Sequence, residues 1–161
     1  MKHSVIAFVC GAVLALPLGA LAAGGGGDEP STLKNKDPEY VAAMDAVAHK
    51  DWQLVVDRMG AYIKRKPEDA NAWNELGHAY RLTGRVDVAL DAYGTALKID
   101  PKHRGVHEYL GEAYLQKGDL ARAEEELKVL DKLCFFPCEE YRDLKRSIGD
   151  YKKKTSASSG S

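Results

Sequence analysis

A pattern of large apolar and small residues that recurs at an interval of about 34 residues constrains the fold of this chain most strongly. Its clearest copy runs from Ala70 to Pro101. The spacing is W-x2-L-G-x2-Y-x3-G-x4-A-x3-Y-x2-A-x4-P, carried by Trp73, Leu76, Gly77, Tyr80, Gly84, Ala89, Tyr93, Ala96 and Pro101. The first four residues recur at i, i+3, i+4 and i+7, and the later apolar residues follow the same period, so each set marks one side of a helix. The stretch predicts a helical hairpin that turns at Gly84.

One hairpin cannot bury its own apolar side, so the chain must repeat it. The downstream copy carries His107, Leu110, Gly111, Tyr114, Gly118, Leu120, Ala123, Leu127 and Leu130. A degenerate upstream copy carries Ala42, Ala43, Ala46, Trp52, Val55, Met59 and Tyr62. Lys50 stands there in place of the turn glycine. Asp37, Asp51 and Asp119 precede predicted helices and are expected to cap them.

These residues resemble the tetratricopeptide repeat (TPR) family. The resemblance implies an all-α, right-handed solenoid of three helical hairpins, at about 37–69, 70–103 and 104–137. A capping helix at 138–152 is expected to cover the last hairpin with Tyr141, Leu144 and Ile148, as solenoids require. Residues 153–161 are polar and are predicted to be disordered.

The N-terminus reads as a secretory signal. Lys2 and His3 precede an uncharged run from Val5 to Leu21, and Ala20-Leu21-Ala22 forms a small-x-small cleavage site. We therefore expect a signal peptide at 1–22 and a flexible linker at 23–36, in a periplasmic protein. The alternative is an uncleaved signal that anchors the chain in the membrane. After cleavage no stable membrane insertion is expected.

Removal of the signal leaves 22 basic and 24 acidic residues, and this balance does not favour nucleic acid. Two cysteines remain, Cys134 and Cys138, on either side of Pro137. In an exported protein we expect a disulfide that holds the capping helix to the last hairpin. A redox-active pair, a soft-metal site and free thiols are the alternatives.

No pattern of catalytic residues is present. The sequence lacks a phosphate loop, a nucleophile elbow and a His-Glu-x-x-His motif, so we expect neither an enzyme nor a cofactor. His103 and His107 are four residues apart, a spacing that metal ligands use. However, His107 occupies the packing position of Trp73 and His103 falls in a turn, so packing is the favoured interpretation and no metal site is predicted.

The TPR resemblance implies that one side of each first helix lines a concave groove. The implied peptide-binding residues are Tyr40, Met44, Asn71, Asn74, His78, Arg81, Tyr109 and Glu112. The family's carboxylate clamp of Lys, Asn and Arg is absent, because its positions hold Tyr40, Met44, Glu75, Gly105 and Tyr109. The groove is expected to suit an extended or helical peptide with apolar anchors, with basic residues as a further option.

The predicted function is a non-enzymatic module that binds a partner protein or peptide, as a scaffold or in assembly of the envelope or of a protein complex. Small exported bacterial TPR proteins suggest this role by analogy of fold. One alternative is that the groove is an ordinary solvated surface and the chain acts through its other side or by homo-oligomerisation. A second is a thiol redox or metal-handling protein that uses Cys134 and Cys138. The sequence does not identify the partner.

Overall fold

The computed structural model describes the backbone of residues 37–159 and the side chains of residues 37–157. Helices account for its regular structure: α1 Pro38–Ala48, α2 Trp52–Ile63, α3 Ala70–Leu82, α4 Val86–Ile99, α5 Arg104–Gln116, α6 Leu120–Leu133 and α7 Glu139–Ser159. Between residues 37 and 159 there is no strand. The predicted signal peptide and linker lie outside the described residues. Of the helices that are described, none combines the length and the apolar character needed to cross a bilayer.

The helices pack in pairs along the chain: α1 with α2, α3 with α4, and α5 with α6. Each pair also contacts the helix that follows it, and α7 packs against both α5 and α6. The buried apolar residues form three successive clusters, centred on the first hairpin with α3, on α4 with α5, and on α6 with α7. Contacts between sequence neighbours are typical of a solenoid, so the all-helical architecture agrees with the prediction.

The turns inside the three hairpins share one backbone conformation. Gly84 has φ 79° and Gly118 has φ 78°, and Lys50 at the equivalent position of the first hairpin has φ 58°. A left-handed conformation carries no side-chain penalty for glycine but is unfavourable for lysine. The degenerate first copy therefore keeps the turn geometry of the other two at a cost in backbone strain.

Aspartates cap the predicted helix starts. The Asp51 carboxylate accepts from the Leu54 amide at 3.1 Å, and the Asp119 carboxylate accepts from the Arg122 amide at 3.0 Å. Asp37 accepts from the Glu39 amide at 3.0 Å. Each bond satisfies a backbone N–H that the helix itself leaves unpaired. The three predicted caps are confirmed.

Two glycines allow close approach between helices. A Cβ added at Gly77 would lie 2.5 Å from the Tyr93 ring, and one added at Gly111 would lie 2.6 Å from the Leu144 side chain. Leu144 is fully buried and Ile148 is 5% exposed, whereas Tyr141 is half-buried. The predicted apolar side of the last helix thus packs on the third hairpin, with Leu144 seated against Gly111.

The end of the last helix differs from the prediction. Helix α7 continues to Ser159, so the boundary at 152 and the disordered tail from 153 are wrong for residues 153–159. Residues 153–159 contain no Gly or Pro, and the hydroxyl groups of Thr155 and Ser156 bond back to the helix. The Ser156 hydroxyl donates to the Lys153 carbonyl at 2.9 Å, a pattern compatible with helical backbone.

Candidate functional site

The candidate site is one side of α3 and α5, which we call the groove face. It comprises Asn71, Asn74, Glu75, His78 and Arg81 on α3, and Glu108, Tyr109, Glu112 and Gln116 on α5. Residues three, four and seven apart share a helix side, so both helices present these residues together. Helix α7 borders the face through Asp143 and Ser147.

A row of rings crosses all three hairpins at this face. The His78 ring stacks on Tyr109 with centroids 4.2 Å apart and an interplanar angle of 21°. On its other side, the Trp52 ring of the first hairpin lies 5.3 Å from His78. Burial, and then the charge of Arg81, lowers the pKa of His78 to about 4. His78 is therefore neutral at physiological pH and acts here as an aromatic ring.

Arg81 joins the second hairpin to the third. Its guanidinium lies 2.7 Å from the Glu112 carboxylate and 5.5 Å from the centre of the Tyr109 ring. The other Glu112 oxygen accepts from the Ser147 hydroxyl of α7 at 3.1 Å. Because these partners surround it, Arg81 is only 8% exposed. A bonded network thus extends from α3 through α5 to α7.

The burial of four predicted groove residues differs from the expectation of an open, lined trough. Asn74 is 5% exposed and Arg81 is 8% exposed, because α5 covers both. Tyr40 is 2% exposed and packs edge-on against the Tyr62 ring of its own hairpin, with centroids 5.1 Å apart. Met44 is half-buried against the first apolar cluster. Tyr40 is therefore a core residue of the first hairpin, whereas a groove role for the half-buried Met44 stays a prediction.

The predicted residues that do meet on the groove face are Asn74, His78, Arg81, Tyr109 and Glu112, with Asn71 at its edge. Asn71 is exposed, and its Oδ1 lies 2.9 Å from Nε2 of His103, the residue before α5. A cavity of about 620 Å³ opens beside Arg81 and Glu112 and is also lined by Gln116 and Ser147. The face is thus accessible beside α7, although part of it is closed by its own side chains. Whether these residues bind a peptide stays a prediction.

The eight predicted peptide-binding residues do not include Glu75 of this face or Trp52 of α2, whose ring contacts His78. Glu75 lies one repeat before Tyr109 and therefore shares its position, a signal that could have identified it. The contact of Trp52 with His78 joins two hairpins, and no spacing within one repeat reports it. Burial raises the pKa of Glu75 to about 7, against the lowering effect of its hydrogen bond from Asn74. The side chain of Glu75 therefore carries a carboxyl group that is largely removed from water.

Glu108 is the second carboxyl of this kind. Burial, followed by the charges of Glu112 on α5 and of Asp143 and Glu140 on α7, raises its pKa to about 7. Arg81 opposes the shift. Burial also raises the pKa of Tyr109, which keeps its hydroxyl protonated. The groove face therefore holds two acidic groups that titrate near neutral pH.

The two histidines of the third repeat serve the fold. His103 precedes α5, and its Nδ1 accepts from the Val106 amide at 3.2 Å. His107 lies 2.7 Å from the Glu126 carboxylate through Nδ1 and 3.1 Å from the Pro101 carbonyl through Nε2. Burial alone would lower the pKa of His107, but these two acceptors outweigh it and raise the pKa. In the described part of the chain, no three His, Cys, Asp or Glu residues are arranged to hold a metal ion.

Cys134 and Cys138 form a disulfide in the structure, with Cα atoms 5.7 Å apart. The bridge connects the end of α6 to the residue before α7. Between the cysteines, Phe135 is 94% exposed and Phe136 is 76% exposed. The bridge therefore closes a short turn that presents two aromatic side chains to solvent.

Comparison with known proteins agrees with this architecture. Residues 77–118 match the family model described as TPR repeat. Over 80 residues the chain is 30% identical to the peroxisomal targeting signal receptor of Candida albicans, a match that covers 50% of this chain and 14% of the receptor. The chain therefore spans a small part of that relative.

Two solved structures illustrate the similarity. The type III secretion translocator chaperone SycD of Yersinia enterocolitica is 20% identical with a TM-score of 0.66, over 78% of this chain and 92% of SycD. The TPR2B domain of yeast Sti1, in a complex with pHsp70, is 18% identical with a TM-score of 0.66, over 72% of this chain and 94% of the domain. These likenesses show the fold, and the resemblance inferred from the sequence is confirmed.

Proposed function

Because this chain carries tetratricopeptide repeats, we propose that it is a non-enzymatic module that binds a partner polypeptide on its groove face. The observation that carries the proposal is the ring row of Trp52, His78 and Tyr109, which continues across three hairpins beside an open cavity. Rings and a bonded Arg81–Glu112 pair form a preorganised surface, and preorganisation lowers the entropic cost of binding a flexible peptide.

Proteins of similar fold support the proposal through what they bind. SycD has been solved with a peptide of the translocator YopD, and that chain is similar to this one with a TM-score of 0.63, 21% identity and coverage of 79% of this chain and 97% of its own. The Sti1 domain was solved in its pHsp70 complex. By this analogy of fold, the present chain acts as a scaffold or assembly factor.

A photo-crosslinking amino acid placed at Gln116 tests the proposal in the native cell. Gln116 is exposed and lines the cavity beside Arg81, whereas the control position, Lys98, is exposed on the second helix α4. We expect adducts of discrete mass from position 116 and none from position 98. The adduct should weaken when Tyr109→Ala is added to the position 116 probe. Adducts of equal yield from both positions, or none from either, would contradict the proposal.

We also propose that the protein is exported and that the Cys134–Cys138 bridge staples α7 to the third hairpin. The support is the signal-like pattern of residues 1–22, together with the disulfide that joins Cys134 to Cys138 in the structure. Mass spectrometry of the protein from fractionated cells tests both points at once. The expected species begins after residue 22 and carries no alkylatable thiol. A species with its N-terminal segment intact, or with two free thiols, would refute the corresponding half.

A further inference from the structure

The groove face contains more negative charge than its own cation neutralises. Glu112 pairs with Arg81 at 2.7 Å. Glu75 receives one hydrogen bond, 3.4 Å long, from the Asn74 side-chain amide. Among residues 37–157, whose side chains the structure describes, none donates a hydrogen bond to the Glu108 carboxylate or forms an ion pair with it. Two of the three carboxylates therefore lack a cationic partner, although both are half-buried.

Asn74 provides an independent sign that a donor is missing. Its side chain lies between α3 and α5, with Nδ2 3.6 Å from the position that a Cβ would take at Gly105. The residue is 5% exposed, and its enclosed Oδ1 has no hydrogen-bond donor in the described structure. Leaving a buried acceptor unpaired costs about 1–3 kcal/mol. A ligand that brings a donor to Oδ1 would recover part of that cost.

We propose that the part of the groove face that carries Asn74, Glu75 and Glu108, which we call the acidic position, binds an arginine or lysine side chain of the partner polypeptide. This inference rests on the proposed function, since it assigns one recognition position within the same face. Guanidinium and ammonium groups carry only donors, so they complement two carboxylates and an amide oxygen. Tyr109 follows Glu108 on α5, and the charges of Glu75 and Glu108 both help to raise the pKa of its hydroxyl, so the two carboxylates share one part of the groove face.

The other charged groups near the acidic position already have partners of opposite charge. Helix α7 contributes two carboxylates, of which Asp143 lies 2.8 Å from Arg146 and Glu140 lies 3.4 Å from Arg104. Helix α5 contributes Glu112 and helix α3 contributes Arg81, and these two pair with each other. The acidic surplus is thus localised at Glu75 and Glu108. A bound cation stabilises the ionised form of both, so peptide affinity is expected to rise from about pH 6 to about pH 8.

Selection of random peptides displayed on phage, with the full chain as bait, provides the probe. The selected peptide is then synthesised with Arg, Lys or uncharged norleucine at each basic position, and the Kd values are measured by calorimetry. Each peptide is tested against the parent protein, the Glu75→Gln/Glu108→Gln variant and the control Glu125→Gln. Glu125 is exposed on α6, so its variant removes a carboxylate that does not belong to the groove face.

We expect one basic position whose replacement by norleucine weakens binding about tenfold or more, a difference of about 1.4 kcal/mol. The Glu75→Gln/Glu108→Gln variant should abolish that difference, whereas Glu125→Gln should retain it. The Arg and Lys peptides show which cation fits better. Tight peptides that need no basic residue, or an equal loss in all three proteins, would overturn this inference and leave the proposed function standing. Absence of any selected peptide would overturn both.

Discussion

Helices α3 and α5 each have two sides that are built in opposite ways. Toward the neighbouring helices they present Ala72, Leu76 and Ala79 on α3, and Val106, Leu110 and Ala113 on α5, all buried in apolar clusters. Toward the groove face they present acids, amides and rings, among which Asn74 Oδ1 and Arg81 Nε are buried without a partner. The same helix is therefore packed closely on one side and left incompletely satisfied on the other.

The difference suggests that the inner side stabilises the fold, while the groove face serves binding. Apolar contacts and small residues on the inner side supply the free energy of folding. Unpaired acceptors and desolvated carboxyls on the groove face oppose folding, and such groups persist where they serve binding. Substitutions on the inner side should thus lower stability, while suitable substitutions on the groove face should raise it and impair recognition.

The greatest expected effect on stability comes from removing a fully buried apolar side chain of α7. Leu144 is fully buried and lies against Gly111, so Leu144→Ala should lower the free energy of unfolding by about 2–5 kcal/mol. Denaturant titration measures the change. The neighbouring Lys145→Ala is the matched control, because Lys145 is exposed on the same helix, and it should change stability little. Equal effects of the two variants would show that α7 does not cap the third hairpin.

Close packing on the inner side gives the next effect. A Cβ at Gly77 would lie 2.5 Å from the Tyr93 ring, so Gly77→Ala should destabilise the protein by about 1–3 kcal/mol. Gly94 is also in a helix but has nothing within 4 Å of an added Cβ. Gly94→Ala should therefore stabilise by about 0.5–1 kcal/mol. Thermal unfolding of the two variants should shift the midpoint in opposite directions, and a common direction would contradict the helix contact.

On the groove face, in contrast, two substitutions should raise the free energy of unfolding, and the size of the gain should depend on pH. Glu75 and Glu108 have folded pKa values of about 7, above their usual value of 4.5. Between these values the folded protein holds more protons than the unfolded chain, so their contribution to stability is lost as pH rises through about 7. The Glu75→Gln/Glu108→Gln variant has no ionisable group at these two positions, so it should not lose this stability as pH rises.

At about pH 8 the Glu75→Gln/Glu108→Gln variant should be more stable than the parent by about 1–2 kcal/mol. Near pH 5 the two proteins should unfold with similar free energies, because the parent carboxyls are then protonated. His78, whose lowered pKa makes both proteins less stable on acidification, cancels in the comparison. Denaturant titrations at both pH values measure the difference, and a parent that is the more stable protein at pH 8 would show that the two carboxylates are favourably paired.

The smallest expected effect on stability is at Lys50. This residue lies in the turn of the first hairpin, outside both the packed inner side and the groove face. Lys50 has φ 58° where the other two hairpins have glycine, so Lys50→Gly should stabilise the protein by about 1 kcal/mol. Peptide affinity should stay the same, since the change does not touch the groove face. Unfolding and binding measured on one preparation test both statements. A loss of stability would mean that the Lys50 side chain contributes more than its backbone strain costs.

Much of the fold could be predicted from the repeat. Trp73, Leu76, Gly77 and Tyr80 define a helix side by local spacing, and Gly84 defines the turn, because these signals depend on the chain's own neighbours. The extent of α7 beyond residue 152 could not be predicted, because a polar segment without an apolar period is compatible with either helix or disorder. The pairing of Cys134 with Cys138 was expected only if residues 1–22, which contain Cys10, are removed, and that removal stays a prediction.

The candidate site was less predictable. Asn74 and Arg81 occupy groove positions in the repeat, yet α5 covers them, and Tyr40 turns into the core of its own hairpin. Their burial depends on which side chains the neighbouring helices bring within a few ångströms. Periodicity reports the direction of a residue from its helix axis, whereas its solvation depends on residues far away in the sequence.

The sequence by itself determined the helix pairs, their turns, their caps and the closing helix of this protein, because local backbone preference and a repeated apolar pattern specify each of them. Only the tertiary structure decided which polar groups share the groove face and which are left unpaired. His78 meets Trp52 and Tyr109, and Arg81 pairs with Glu112, only when successive hairpins stack. Solvation and charge pairing are properties of that stacked arrangement, and so is the proposed preference for a basic partner residue.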